Sequence, residues 1–120
     1  MSGINKTISV GRLIKDPEMH TFEDGGAVTS FTLYTSREWV DKETKEKKEH
    51  VTFIPVKVKN RQAKACNEYL QKGSEVYVEG EFATDEWEKD GIKQYKTYVK
   101  ANNVLFLGGR PTPQEDTTPF

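Results

Sequence analysis

An all-β fold is predicted: a small five-stranded barrel with one short helix between the third and fourth strands, followed by a flexible tail. Two observations lead there. Apolar residues recur at period two in five separate segments, while period 3.6 occurs only between residues 61 and 72. The order of segments is then three strands, one helix, two strands, which is the order of the OB barrel. A small sandwich with an incidental helix is the alternative.

The first strand reads from Ile4, Ile8 and Val10 on one face, with Thr7 and Ser9 on the other, and is expected to break at Gly11 and at Asp16-Pro17. Thr21 to Gly26 reads as a turn. Ala27, Thr29, Phe31, Leu33 and Thr35 make the core face of a second strand, with Tyr34 pointing away. Asp41 to His50 reads as a charged, mobile hairpin loop. In the third strand, Val51 to Lys59, the residues Ile54, Val56 and Val58 face inward. Phe53, Pro55, Lys57 and Lys59 face outward, interleaving a ring with two cations. Pro55 cannot donate to a ladder, which implies an edge or a bulge. Ala63, Cys66, Asn67 and Leu70 give the helix one face, with Gly73 as its stop. Val76, Val78, Gly80 and Phe82 form the inner face of the fourth strand. Asp90-Gly91 is a tight-turn signal, and Ile92 to Val99, continued by Val104 to Leu107, is the fifth.

Residues 1–108 are therefore expected to form one domain. Residues 109–120, which carry three prolines, one glycine and one hydrophobic residue, are expected to be a flexible acidic tail. No apolar run approaches the roughly 18 residues of a membrane span, and no secretory segment follows Met1, so a cytoplasmic protein is expected. Cys66 is the only cysteine, which excludes an intramolecular disulfide and a cysteine metal cage. His20 and His50 lack a ligand set. Neither a P-loop nor a nucleophile elbow is present, and no cofactor, metal or enzymatic activity is expected.

The net charge of −1 conceals a gradient. Residues 37–64 hold nine Lys/Arg against five Asp/Glu, whereas the last ten residues hold Glu115, Asp116 and no basic side chain. Within this charged chain Trp39, Phe53 and Trp87 stand where a core aromatic is out of place, each near the end of a strand-like segment. A ring held out among lysines can stack on an unpaired base, because every base offers a π-face. Such rings can also cap a core edge or fill a subunit interface. The stacking reading requires all three rings to be solvent-accessible in one shared trough.

The strings Val10-Gly11-Arg12-Leu13, Lys15-Asp16-Pro17-Glu18, Gly25-Gly26-Ala27-Val28, Thr35-Ser36-Arg37-Glu38-Trp39 and Lys72-Gly73-Ser74, with Val76-Tyr77-Val78-Glu79-Gly80, form a specific combination. Across about residues 4 to 110 the chain resembles the bacterial-type single-stranded DNA-binding proteins, including phage and plasmid forms. The resemblance implies an OB-fold homo-oligomer, usually a tetramer, that wraps single-stranded DNA without sequence preference in replication, recombination and repair. It maps stacking roles onto Trp39, Phe53 and Trp87, and phosphate contacts onto Lys6, Arg12, Lys42, Arg61 and Lys72. Lys57 and Lys59 join the phosphate set through the face they share with Phe53. Asp116, Pro119 and Phe120 correspond to an acidic tip that recruits partner proteins by terminus capture.

Four positions depart from the family pattern. Phe53 stands where many members carry Trp. Asp85 and Glu86 lie where basic residues often precede the last aromatic. Lys59 replaces a frequent stacking Phe. The modest charge and the acids around Trp87 leave room for a protein-interaction adaptor of the same fold with weak DNA binding. A nuclease on the same barrel would need clustered carboxylates facing the groove, and no acid pair has that placement.

Overall fold

The computed structural model describes residues 3–108, so the expectations for the tail and for Asp116, Pro119 and Phe120 fall outside the described residues. Seven elements follow one another: β1 (Thr7–Leu13), β2 (Glu18–Thr21), β3 (Ala27–Val40), β4 (Lys47–Lys59), α1 (Asn60–Tyr69), β5 (Glu75–Lys89) and β6 (Ile92–Phe106). The sheet order is β1-β5-β6-β4-β3-β2, and an additional β1–β3 pairing closes the first five of these strands into a barrel. The short β2 was not anticipated. All four of its residues are exposed, so no apolar alternation marks it; it pairs antiparallel with β3.

β1 also departs from expectation. It runs through Gly11 to Leu13, leaving β5 and joining β3 at Arg12 and Leu13. Gly11 makes this crossing possible, since a Cβ there would lie 2.6 Å from the carbonyl oxygen of Tyr34. The strand therefore turns the barrel corner at the residue expected to end it. Its buried residues are Gly11 and Leu13, whereas Ile8 and Val10 face solvent.

The core is built from β-branched and leucine side chains that alternate as predicted: Leu33, Val56, Val58, Val76, Val78 and Val99 are fully buried. α1 closes one end with Ala63 and Cys66, followed by Leu70, which is already extended. The helix thus stops before the expected Lys72, and Gly73 serves the turn in which Ser74 donates to the Gln71 carbonyl (2.9 Å). The Thr29 hydroxyl donates to the Ala63 carbonyl (2.6 Å), tying helix to barrel through a buried bond. Burial pushes the Cys66 thiol up to about 11, so it stays neutral and packs as an apolar group.

Pro55 is not in a bulge, since the β3–β4 ladder runs from Val28↔Lys59 to Val40↔Lys47 without a shift; on its other side no pairing reaches it, which is the locally open edge expected of a proline. It lies one residue before the parallel β4–β6 contact, which comprises only Val56↔Val99 and Lys57↔Lys100. The bulge lies in the β5–β6 ladder, between Glu79 and Gly80. There Gln62 of α1 donates to the Asn102 carbonyl (3.1 Å) and accepts from the Val104 amide (3.2 Å), satisfying backbone groups near the irregularity.

Two strand pairs outrun the barrel and form arms. The charged loop between β3 and β4 is much shorter than expected: residues 47–50 belong to β4, leaving Asp41–Glu46 as the connection. Asp41 organises it by accepting the amides of Glu43 (2.8 Å) and Thr44 (3.2 Å), an Asx-type turn. The β5–β6 arm ends at Asp90 and Gly91, whose φ values of 54° and 78° suit a two-residue primed turn.

Candidate nucleic-acid interface

Alternation along these strands decides where each ring points. Trp39, Phe53 and Trp87 are all solvent-accessible, at 46, 58 and 46% exposure. They do not share one trough, however. Trp39 continues the β3 face that carries Phe31 and Leu33 into the core, and it projects beyond the barrel beside Arg37 and across from Lys48. Phe53 lies on the opposite, outer side of the same ladder, across from Tyr34 at a ring separation of 6.0 Å. Trp87 lies two residues beyond Asp85 on the outer face of β5, which meets the Phe53 side of β4 through Lys57 and Tyr98. Phe53 and Trp87 thus belong to one surface, and Trp39 to the other side of the β3–β4 arm. The physical cause is parity: positions 39 and 53 are not on the same face of an unbroken antiparallel ladder.

The predicted cations divide in the same way. Lys42 joins Trp39, Arg37, Val40 and His50 around a surface hollow at the tip of the arm. Lys57 and Lys59 share the outer face of β4 with Phe53. Arg61 stands at the start of α1 with Asn60 and Lys64, beside the Gly25-Gly26 loop. Lys72 is near Asp16, whose carboxylate accepts its amide (2.8 Å). Lys6 and Arg12 are used within the chain: Lys6 pairs with Glu79 (3.3 Å), and Arg12 donates to the Gly73 carbonyl (2.9 Å). Glu79 also accepts the Tyr77 hydroxyl (3.0 Å); that bond, then Lys6, lowers the Glu79 carboxyl below its ordinary value.

Several residues of this surface escaped sequence reading. Tyr34 points outward by its parity, but its pairing with Phe53 depends on register, which the sequence does not display. Tyr98 and Lys96 flank the outer side of β6 in alternation with buried Val99, a period-two signal that was available. Tyr98 donates to Asp85 (3.1 Å), and Lys57 Nζ sits 4.5 Å from the centre of its ring. Among the described residues no group of His, Cys, Asp or Glu is arranged to hold a metal ion, and no helix is long and apolar enough to cross a membrane.

A closed barrel of five strands, capped by a helix between the third long strand and the fourth and bearing aromatic arms, is an OB-fold binding module. The family is specified further by sequence: residues 4–107 match the single-strand binding protein family, and the chain belongs to it. Among solved structures, one described as the Plasmodium falciparum SSB complex with ssDNA is 26% identical, with a TM-score of 0.80 over 90% of this chain and 98% of that one. A deletion mutant of the single-stranded DNA binding protein from Thermus aquaticus is 30% identical, with a TM-score of 0.78 over 90% of this chain. This chain spans about half (52%) of the Thermus chain.

Proposed function

We propose that this protein binds single-stranded DNA without sequence preference and without catalysis, coating strands exposed in replication, recombination and repair in the cytoplasm of a bacterial or phage-infected cell. The single shared trough expected for the three rings is not met, and stacking is assigned instead to two surfaces; the observation that carries this reading is the exposure of Trp39 on one and of Phe53 and Trp87 on the other, on a family-matched barrel where no core needs them. Base stacking on such rings contributes about 1–3 kcal/mol each. Because the rings occupy two faces, the bound strand passes over the edge of the β3–β4 arm, from the Trp39 hollow to the Phe53–Trp87 surface. Oligo-dT is expected to quench the tryptophan fluorescence, and Trp39→Ala and Trp87→Ala each to weaken binding at fixed salt. Unchanged affinity in both variants removes the stacking assignment.

The homo-oligomer draws support from the outer face of the β1-β5-β6 sheet. Ile8 and Val10 of β1 and Leu105 of β6 flank β5 with their side chains exposed, an apolar strip that a second copy would cover. Sedimentation reads the stoichiometry, a tetramer being the family expectation. The tip residues Asp116, Pro119 and Phe120 are assigned to partner recruitment: deleting Pro119-Phe120 should leave DNA binding intact and abolish partner pull-down, and loss of DNA binding instead would reassign the tip.

A further inference from the structure

On the outer wall, four strands converge around a cavity of about 170 Å³, several times the ~30 Å³ share of one water. Its charged rim is Lys15 and Glu18 on one side, Lys57 of β4 in the middle and Lys96 of β6 on the other, with Tyr98 and Pro55 as apolar walls. Beside it the Asp85 carboxylate is held by two donors, Lys57 Nζ on Oδ2 (3.1 Å) and the Tyr98 hydroxyl on Oδ1 (3.1 Å). Three lysines face one local acid, Glu18, which pairs loosely with Lys15 (3.7 Å), and Asp85 supplies the second.

We propose that this cavity is a phosphodiester subsite, in which Lys15, Lys57, Lys96 and the Tyr98 hydroxyl take one backbone phosphate, and that Asp85 is a resident anion the strand must displace. The inference rests on the single-strand-binding reading and adds a site to it. The chemistry is exchange of one anion for another. Two carboxylate oxygens engage an ammonium and a phenol, and the non-bridging oxygens of a phosphodiester accept from the same donors. Phe53 precedes Lys57 on the same face of β4, and Trp87 follows Asp85 on the same face of β5, so a phosphate seated here lies on the Phe53–Trp87 surface. A carboxylate competing for these donors thus weakens binding there without removing the site.

The test measures oligo-dT affinity across a salt series for the full chain, for Asp85→Asn, for Lys57→Ala/Lys96→Ala and for the triple combination. Asp85→Asn is expected to tighten binding roughly three- to tenfold at low salt and to steepen the log–log salt slope by about 0.7, the increment of one more phosphate on a single strand. In the Lys57→Ala/Lys96→Ala background the same substitution should have a clearly smaller effect, because the ammonium it frees is gone and only the Tyr98 hydroxyl remains to be released. Asp85→Ser repeats the measurement should the amide variant melt early. If Asp85→Asn changes neither affinity nor slope while oligo-dT still quenches the tryptophans, the subsite is overturned and the binding function stands. If no variant, wild type included, is quenched, both fall together.

Discussion

The inner and outer halves of the same strands obey different rules. In β3, residues 27 to 33 alternate between buried and half-exposed positions, whereas residues 36 to 40 are exposed on both faces. β5 repeats the contrast: Val76 and Val78 are buried at its start, and everything from Asp85 onward is exposed. The barrel half folds by removing apolar area from water. The arm half is held by its ladder and by surface charges such as Lys47–Glu38 (3.3 Å) and Lys93–Glu86 (3.4 Å), pairs worth about 0–1 kcal/mol each. Stability and recognition are therefore separated along each strand, not between domains, and an aromatic ring changes its meaning between Phe31 in the core and Trp39 on the arm of one strand.

The separation can be tested by substituting on either side of it. The largest effect is expected from Leu33→Ala, which empties a fully buried position and should cost about 2–5 kcal/mol in chemical denaturation. DNA affinity measured well below the melting temperature should be retained; a selective loss of affinity would mean that core and arm are coupled. Next come Trp39→Ala and Trp87→Ala, about 1–3 kcal/mol in binding with the melt nearly unchanged. A drop in melting temperature comparable to that of Leu33→Ala would return these rings to the core. The smallest effect on the protomer itself is expected from Val10→Asp, about 0.5 kcal/mol or less at an exposed strand position. Sedimentation should nevertheless show it dissociating any oligomer built on the β1-β5-β6 face; an unchanged sedimentation coefficient would move the contact elsewhere.

The core was legible in the sequence because burial there is local and periodic: Phe31–Leu33, Val56–Val58 and Val76–Val78 announce their faces two residues at a time. The five-stranded closure could be read as well, since the segments that build the barrel follow one another in barrel order, although a sixth, short strand lies outside that count. What could not be read depends on non-local pairing. Ile8 and Val10 look like a core face, yet the barrel turns its corner at Gly11 and buries the alternate residues. The short β2 lacks an apolar side, so nothing in its composition separates it from a turn. For the candidate site, the identity and exposure of the rings were apparent from their polar flanks, but their division between two faces was not. That division follows from the register Tyr34↔Phe53 and Trp39↔Lys48, set by a ladder whose length the charged residues 47–50 obscure. Asp85 was visible as an odd acid beside Trp87, while its bond to Lys57 spans 28 positions and needed the fold.

The parallel junction between β4 and β6 involves just two residue pairs, against fourteen in the neighbouring β5–β6 ladder. It is as narrow a weld as the two-pair β1–β3 closure, and the two hairpins spring from either side of it. A pull exerted on those hairpins by a tethered polymer would load Val56–Val99 directly, one of the two joints in the wall with the fewest paired residues to resist it.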